Sequence, residues 1–558
     1  MKTQFLSIGF LIILSILFMG DSLVRLNQPA NMDGVVHMTN IAIFHNALSN
    51  GDFPVRWTGQ FANYGLPMGS FTQQFTSYLG ALLTFITHNV IISYSIVLWI
   101  GTFLSLYFFY LFLRHYYSEL AALTGSVLFN FTNYRIINAH IRGALPEYFS
   151  TVFVALLLLG LIELIQKSKI RGFFICTFAT WGLILTHPMN VVTSLVLIVP
   201  FTIWLLWQSY RIGNRKEIAK KIAMVCASVL LGVTAAAYYI IPLLHDIQYF
   251  YYGQSSNHYN SNQELTIRSF IETKWYYDDI ITNNILSRGH VITVGSIETL
   301  LLFVGLGIFI TRTALKKKIE LDLLSVSLLT ALLSILLVTK AAAPVFERVD
   351  FLSNIQFPWR ILSSLMFVPP IILAYILNKS RTVLLLPCIV CIVLLLRVPQ
   401  LYGKNYTSFS QEYYYETIDN LHSTNMNTVW TSDTKMYPTK QVEVEILEGD
   451  GIISDLNTSN SHREFKTAST TPLKIIVNTF YFPGWKAFID QNEIPIEFQD
   501  INHRGVITMI VPEGSHHISV KFTATKTVAA ANALSIIAIV NGIFLFVYRS
   551  RLQKLLTE

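Results

Sequence analysis

Acids and arginines set beside apolar runs are the residues of this chain best suited to chemistry. Asp33 stands a few residues past the first apolar segment, in the stretch NMDGVVHMTNIAIFHNALSNGDFPVRW from Asn31 to Trp57, which also holds His37, Asp52 and Arg56. A second group follows in His140, Arg142 and Glu147, a third position is His187, and a last group is Glu347, Arg348, Asp350 and the Arg360 of QFPWR. A carboxylate at a membrane rim can take a proton, and an arginine fork can grip phosphate through two parallel hydrogen bonds. Those are the two requirements for moving a sugar from a lipid phosphate to a hydroxyl. A charge at that level is costly unless it has a partner or a task.

What must position these residues is a membrane bundle. The chain has 558 residues, of which 53% are hydrophobic and only 13% charged, too apolar for an ordinary soluble protein. A crossing needs about 20 apolar residues, and the candidates lie at 5–20, 90–113, 119–137, 147–165, 172–187, 190–207, 222–244, 296–311, 321–338, 359–378, 383–397 and 527–548. This predicts an α-helical polytopic protein with about twelve crossings. Lys2 and the run Phe5–Met19 lack a small-x-small cleavage site before Asp21, which makes them a retained signal-anchor. With the N-terminus inside, Arg114, Lys167, Lys169, Arg171, Arg211 to Lys221, Arg312 to Lys318, Lys379, Arg381 and Arg549 to Lys554 share one face. The formal charge of +7 therefore reflects the positive-inside bias rather than a nucleic-acid partner.

The opposite face receives the loops 21–89, 138–146, His187-Pro188, 245–295 and 340–358, and the polar region 398–526. Tyr78–Ile86 is too short to cross and reads as re-entrant or interfacial, while Val35–Leu48 has the spacing of an amphipathic helix lying along the membrane surface. VEVEILEG, LKIIVNTFYF and HHISVKFTAT alternate like strands, with turns at Pro483-Gly484, Asp490-Gln491-Asn492 and Pro512-Glu513-Gly514, so a small extracytoplasmic β-sandwich-like domain is expected. Cys176, Cys226, Cys388 and Cys391 all lie in apolar segments; no disulfide framework follows, and the C-x-x-C of Cys388 and Cys391 reads as helix packing.

Each candidate has a plainer role beside the chemical one. Asp33 could cap the helix it precedes. His37 and His45 could be interfacial polar residues, since no H-x-x-x-H pair or second ligand cluster accompanies them. Glu147 follows Pro146 and suits the first turn of a helix. Arg360 could pair with Glu347 or Asp350, and Asp52 with Arg56. The aromatic runs YFYYG and KWYYDD suit a membrane-interface belt as well as sugar stacking, and Asp278-Asp279 has the look of a metal pair. Inside the apolar spans the ionisable residue that stands out is Glu163, a scarcity that weighs against a transport pathway.

A resemblance sharpens the reading. Asp33-Gly34, His37, Gly51-Asp-Phe-Pro-Val-Arg-Trp57, Asn63-Tyr-Gly-Leu-Pro67, Arg142-Gly-Ala-Leu-Pro-Glu147, Leu185-Thr-His187 and Gln356-Phe-Pro-Trp-Arg360 resemble the bacterial membrane proteins labelled pyruvoyl-tetrahydropterin-synthase-related and the YfhO-type proteins. Tyr481-Phe-Pro-Gly-Trp-Lys486, Asp490 and Pro512-Glu-Gly-Ser-His516 are similar to the ending of the YfhO type. Both groups resemble the GT-C superfamily of polyprenyl-phosphate-sugar glycosyltransferases.

The resemblance implies a GT-C-like transmembrane domain over 1–397 with its catalytic first outer loop at 21–89, a β-rich extracytoplasmic domain over 398–526, and a final helix with a basic cytoplasmic tail over 527–558. It implies Asp33 as the catalytic acidic residue and Glu147 as second acid; the chemistry then makes Asp33 the general base of an inverting transfer, with Arg360 and Arg142 on the donor phosphate and His37, Arg56 and His187 on substrate. Gly34 follows Asp33 where the protein mannosyltransferases have a second acid. A divalent metal is compatible with the pattern but not required by it, and no metal ligands are assigned. The expected partners are a polyprenyl-phosphate sugar, an envelope glycan, teichoic-acid-like polymer or glycolipid acceptor, and membrane lipid. The expected location is the bacterial cytoplasmic membrane with both termini inside. The rival readings are a flippase for lipid-linked saccharides and a non-catalytic scaffold for envelope assembly.

Overall fold

The computed structural model describes residues 2–20, 22–23, 28–29, 31–59, 64–251, 265–271, 292–379, 385–401, 406–407, 409–416, 427–431, 437, 440, 442–551 and 553. Each of the twelve apolar stretches holds a helix. The principal ones are α1 (Lys2–Phe18), α2 (Gly34–Ser49), α3 (Gln74–Thr87), α4 (Val90–Tyr116), α5 (Glu119–Asn130), α6 (Asn133–Ile136), α7 (Leu145–Leu161), α8 (Ile170–Thr186), α9 (Pro188–Ile212) and α10 (Arg215–Ala235). They continue with α11 (Ala237–Asp246), α12 (Ser296–Lys316), α13 (Leu323–Val338), α14 (Val368–Lys379), α15 (Leu385–Arg397), α16 (Gln411–Glu416) and α17 (Lys526–Val547). Among the described residues seven helical segments are long and apolar enough to cross a membrane, or eight if the bent pair Leu323–Val338 and Lys340–Arg348 is one span; Phe5–Phe18, Ile170–Thr186 and Cys388–Arg397 are shorter apolar helices. The protein is an integral membrane protein.

The stretch 119–137 does not run as one rod. After α5 the chain makes the single turn α6 and then a π-helical turn, Ile137–Ile141. Asn130, Asn133, Arg135 and Asn138 are all buried there, and their polar groups need partners that a straight apolar helix does not supply. π turns widen a helix at such places and are frequent at functional sites.

Eight strands towards the end of the chain form two antiparallel sheets. With β1 (Gln28–Pro29) and β2 (Tyr406–Thr407) forming a separate short ladder, β3 (Val444–Glu448), β6 (Leu473–Phe480) and β9 (Val506–Val511) make one sheet in the order β3-β6-β9. The other contains β4 (Gly451–Thr458), β5 (His462–Ser469), β7 (Trp485–Ile489), β8 (Asn492–Ile494) and β10 (Gly514–Phe522), ordered β4-β5-β10-β7-β8. Asp490 and Gln491 both have positive φ, 48° and 73°, at the β7–β8 connection, as a tight hairpin turn demands.

The helix α2 is enclosed on more than one side: Met38, Ile41 and Ala42 join the bundle core, while Ile43, Phe44 and Ala47 join the core shared with the sheets. Asn40 is buried as well. That enclosure comes from the helices packed on it, α3, α4 and α16, with Phe44 against Tyr78 and His45 against Phe85 and Tyr415. Trp57 clamps this junction, its ring 5.1 Å from both Trp485 and Phe522, and Tyr64 stacks on Phe480 at 4.9 Å while its carbonyl accepts from the Phe480 N–H at 2.9 Å.

Glu163 lies in the π turn Ile162–Gln166 just past α7, paired with Lys167 at 2.8 Å and with Arg171, and it has company among the buried ionisable residues of the helical part, Arg135, Glu298 and Arg397 included. Arg397 meets Glu298 at 2.9 Å and donates to Asn133 Oδ1 at 2.7 Å.

Trp57→Ala should lower unfolding stability by about 3–5 kcal/mol, the usual loss for a deeply buried large aromatic side chain, seen as a lower Tm of the detergent-solubilised protein. An unchanged Tm would show that this junction contributes little.

Candidate functional site

The site is assembled around the start of α7. Leu145-Pro146-Glu147 opens this helix, with Pro146 suited to a first turn, and Glu147 turns into the bundle with its side chain only 1% exposed. Its Oε1 accepts from Tyr134 Oη at 2.6 Å and Asn138 Nδ2 at 3.1 Å; its Oε2 accepts from Arg142 Nη1 at 2.8 Å and lies 3.9 Å from Arg360 Nε. The π turn brings Asn138 and Arg142 round to this carboxylate, and Asn138 Oδ1 accepts from Arg142 Nη1 at 2.5 Å.

Arg142 therefore has a split role. One amine is fixed by Glu147 and Asn138, and the other, Nη2, faces Asp33 Oδ2 at 3.9 Å. The guanidinium lies over Trp359, 4.5 Å from the ring centroid. Burial opposes its charge, but Glu147, Tyr134 and Asp33 outweigh that effect and raise its pKa above the ordinary arginine value. Backbone pairing sets the distance to Asp33: the Asp33 N–H donates to the Arg142 carbonyl at 2.7 Å and the Met32 N–H to the Ile141 carbonyl at 3.2 Å. Gly143, with φ of 65°, makes the bend between the π turn and α7 at little conformational cost.

Asp33 occupies the N-cap position of α2, yet its side chain makes no capping hydrogen bond. Asn31 Oδ1 accepts from the Gly34 N–H at 2.9 Å instead. The Asp33 carboxylate stays 45% exposed, which leaves it reachable from outside the protein.

Arg360 comes from Pro358–Ile361, a single turn held by its own fork: Nη1 donates to the Ile355 carbonyl at 2.9 Å. Its ion-pair partner is Glu147, and its buried Nε has no hydrogen-bond acceptor among the described residues. His187 ends α8 and caps α9, its Nδ1 accepting from the Asn190 N–H at 3.2 Å. It lies within electrostatic range of Glu147, Arg360, Arg142 and His37. His37, one turn along α2 from Asp33, feels Asp33 and Arg142; burial is the largest influence on it, Asp33 opposes that and Arg142 adds to it, and its pKa falls to about 4.

Asp33, His37, Arg142, Glu147, His187 and Arg360 are thus brought together, and Arg56 is not. Arg56 Nη2 donates to the Tyr238 carbonyl at 2.8 Å and Asn532 Oδ1 at 2.9 Å, bracing the first outer loop against α11 and α17. Nor does it pair with Asp52, whose Oδ1 accepts from Ser461 at 2.8 Å. Asp278-Asp279 and the run KWYYDD lie outside the described residues, as do Tyr252 and Gly253 of YFYYG. Among the described residues no group of three or more His, Cys, Asp or Glu side chains is placed to hold a metal ion. Tyr134, which helps complete the Glu147 shell, is hidden because 119–137 reads as a crossing, and Asn138 stands at the very edge of the loop that follows it; the crowd of polar residues from Asn130 to Asn138 is the available signal.

Residues 12–353 match a family of unknown function, DUF6541. The chain belongs to that family. The matched region takes in Asp33, His37, Arg142, Glu147 and His187 and ends before Arg360. An uncharacterized protein of Lactococcus lactis subsp. cremoris (strain MG1363) is 24% identical over 257 residues, which are 45% of this chain; the chain spans 41% of that relative's length. Among solved structures, the chain is similar to the archaeal oligosaccharyltransferase AglB from Archaeoglobus fulgidus in complex with an inhibitory peptide and a dolichol-phosphate, at 12% identity and a TM-score of 0.42, covering 76% of this chain and 61% of that one. It is also similar to ArnT from Cupriavidus metallidurans bound to undecaprenyl phosphate, at 12% identity and a TM-score of 0.40, covering 74% and 68%.

The histidine gives a pH signature. With a folded pKa near 4 against 6.5 for the free side chain, the unfolded state binds its proton first as pH falls. Stability is then complete above about 6.5 and declines from there towards about 4. His37→Gln should flatten that decline when Tm is followed from neutral to acid pH. An identical decline in the variant would contradict a His37 held neutral in the folded protein.

Proposed function

We propose that the chain is a membrane glycosyltransferase of the GT-C kind, moving a sugar from a polyprenyl-phosphate donor to a hydroxyl of an extracytoplasmic envelope acceptor. One observation carries the reading: a half-exposed carboxylate, Asp33, free of its helix cap, stands 3.9 Å from a guanidinium that shares the buried Glu147 with a second guanidinium. Asp33 takes the proton of the acceptor hydroxyl while its oxygen bonds to the anomeric carbon. The bond from that carbon to the phosphate oxygen breaks, and its electron pair leaves with the lipid phosphate. Displacement from the opposite side inverts the anomeric centre. Arg142 and Arg360 receive the new charge, and the unsatisfied Arg360 Nε–H is a donor that a phosphate oxygen would satisfy.

In this reading Glu147 holds the two arginines in place rather than handling protons, because all four of its neighbours already donate to it or face it. His37 and His187, kept neutral, line the substrate side, while Arg56 supports the outer loop and leaves the substrate alone. The transmembrane part over 1–397 supplies the chemistry, the strand-rich part over 398–526 helps hold the acceptor, and 527–558 tethers it to the bacterial cytoplasmic membrane with both termini inside.

The test compares wild type with Asp33→Asn in membrane vesicles given labelled polyprenyl-phosphate sugars. General-base catalysis is worth about 10²–10⁴-fold, so transfer should fall by roughly that factor or below detection, with the protein level in the membrane unchanged. Transfer at the wild-type rate would refute the assignment.

A further inference from the structure

Arg135 is among the most deeply buried side chains, 1% exposed. Its fork donates to Thr151 Oγ1 at 2.9 Å, Ser105 Oγ at 2.9 Å and Tyr148 Oη at 2.7 Å. The guanidinium also lies against the rings of Phe129 and Tyr148, at 4.4 and 4.6 Å. All of these partners are neutral. Among the described residues it has no ion pair, and its Nε has no acceptor. A buried charge ordinarily has an opposite charge beside it, because removing a cation from water costs several kcal/mol that hydroxyls and ring faces only partly offset. Other buried arginines of the bundle have one: Arg397 has Glu298, and Arg142 and Arg360 have Glu147.

The place of this lone cation is informative. Tyr134, its neighbour in α6, donates to Glu147, and Tyr148, which it grips, follows Glu147 in α7. Thr151 is one turn deeper on α7, about 6 Å along the axis from Glu147. Arg135 therefore underlies the site from the membrane side. Arg142 and Arg360 already offset Glu147 and Asp33, so the site and its support together carry one cation more than they carry anions.

We propose that Arg135 is a charge-positioning residue for an anionic lipid head group: its uncompensated guanidinium, held by neutral partners, favours a phosphate at the Arg142–Arg360 pair. The inference rests on the proposed function and deepens it, by assigning the pull on the lipid phosphate to a residue that never touches it. Acting over a distance on the order of 10 Å at an effective dielectric near 20, one such charge changes phosphate affinity roughly tenfold.

The experiment measures binding of farnesyl phosphate and of farnesol to the full chain in nanodiscs. Wild type should prefer the phosphate. Arg135→Gln should weaken farnesyl phosphate roughly tenfold and leave farnesol unchanged, whereas Arg135→Lys, which keeps the charge and loses the fork, should stay close to wild type. Thr151→Asp supplies the missing counter-ion with Arg135 intact and should weaken the phosphate as Arg135→Gln does, which covers the case in which Arg135→Gln does not fold. Wild-type binding of farnesyl phosphate in both Arg135→Gln and Thr151→Asp would overturn the proposal, as would Arg135→Lys binding as weakly as Arg135→Gln, since the fork's geometry would then be what matters. A wild type with no preference for phosphate over alcohol would instead overturn the glycosyltransferase reading together with the inference built on it.

Discussion

Glu147 meets Tyr134, Asn138 and Arg142 within hydrogen-bond distance and Arg360 at 3.9 Å, and nearly everything at this end of the bundle follows from that meeting. A carboxylate so far from water has to be surrounded by donors, and these donors come from three separate places: α6 with its π turn, the bend before α7, and the single turn at Pro358–Ile361. Satisfying one charge fixes the relative position of all three. Because Arg142 is fixed on one amine, its other amine is directed at Asp33, and the backbone bonds from Met32 and Asp33 to the π turn hold the outer loop at the same height.

The rest of the architecture supports this arrangement from two sides. From one, α4 and α7 surround Arg135 with hydroxyls and rings. From the other, the two sheets lock the loop after α2 through Trp57, Tyr64 and their aromatic partners. Asn31 takes over the capping of α2 and spares the Asp33 side chain. The buried Arg397–Glu298 pair reaches the same small helix α6 through Asn133, so three consecutive residues, Asn133, Tyr134 and Arg135, join three polar networks.

Much of this was legible in the sequence. Apolar length located twelve helical stretches, and strand alternation and turn residues located the β-rich part. Asp33, Arg142, Glu147, His187 and Arg360 stood out because charge or histidine beside an apolar run is conspicuous. The failures have physical causes. α2 is packed against α3, α4 and α16, the last from far along the chain, and hydrophobic spacing cannot distinguish lipid, water and a later helix. Arg56 looked like a ligand because an arginine in an outer loop resembles one, whereas its partners are a carbonyl of α11 and Asn532 of α17. Arg135 and Asn133 went unweighed because they sit in a stretch apolar enough to pass for a crossing.

The account depends on Glu147 and Arg142 acting as one unit. A double-mutant cycle on the detergent-solubilised protein, with Glu147→Gln, Arg142→Met and the pair, tests that directly through unfolding stability. Removing one partner of a buried pair should cost about 3–5 kcal/mol, and the double variant should recover a substantial part, giving a coupling on the order of 2 kcal/mol. Additive losses with no coupling would mean that the carboxylate does not hold the arginine and that the site is organised by something else.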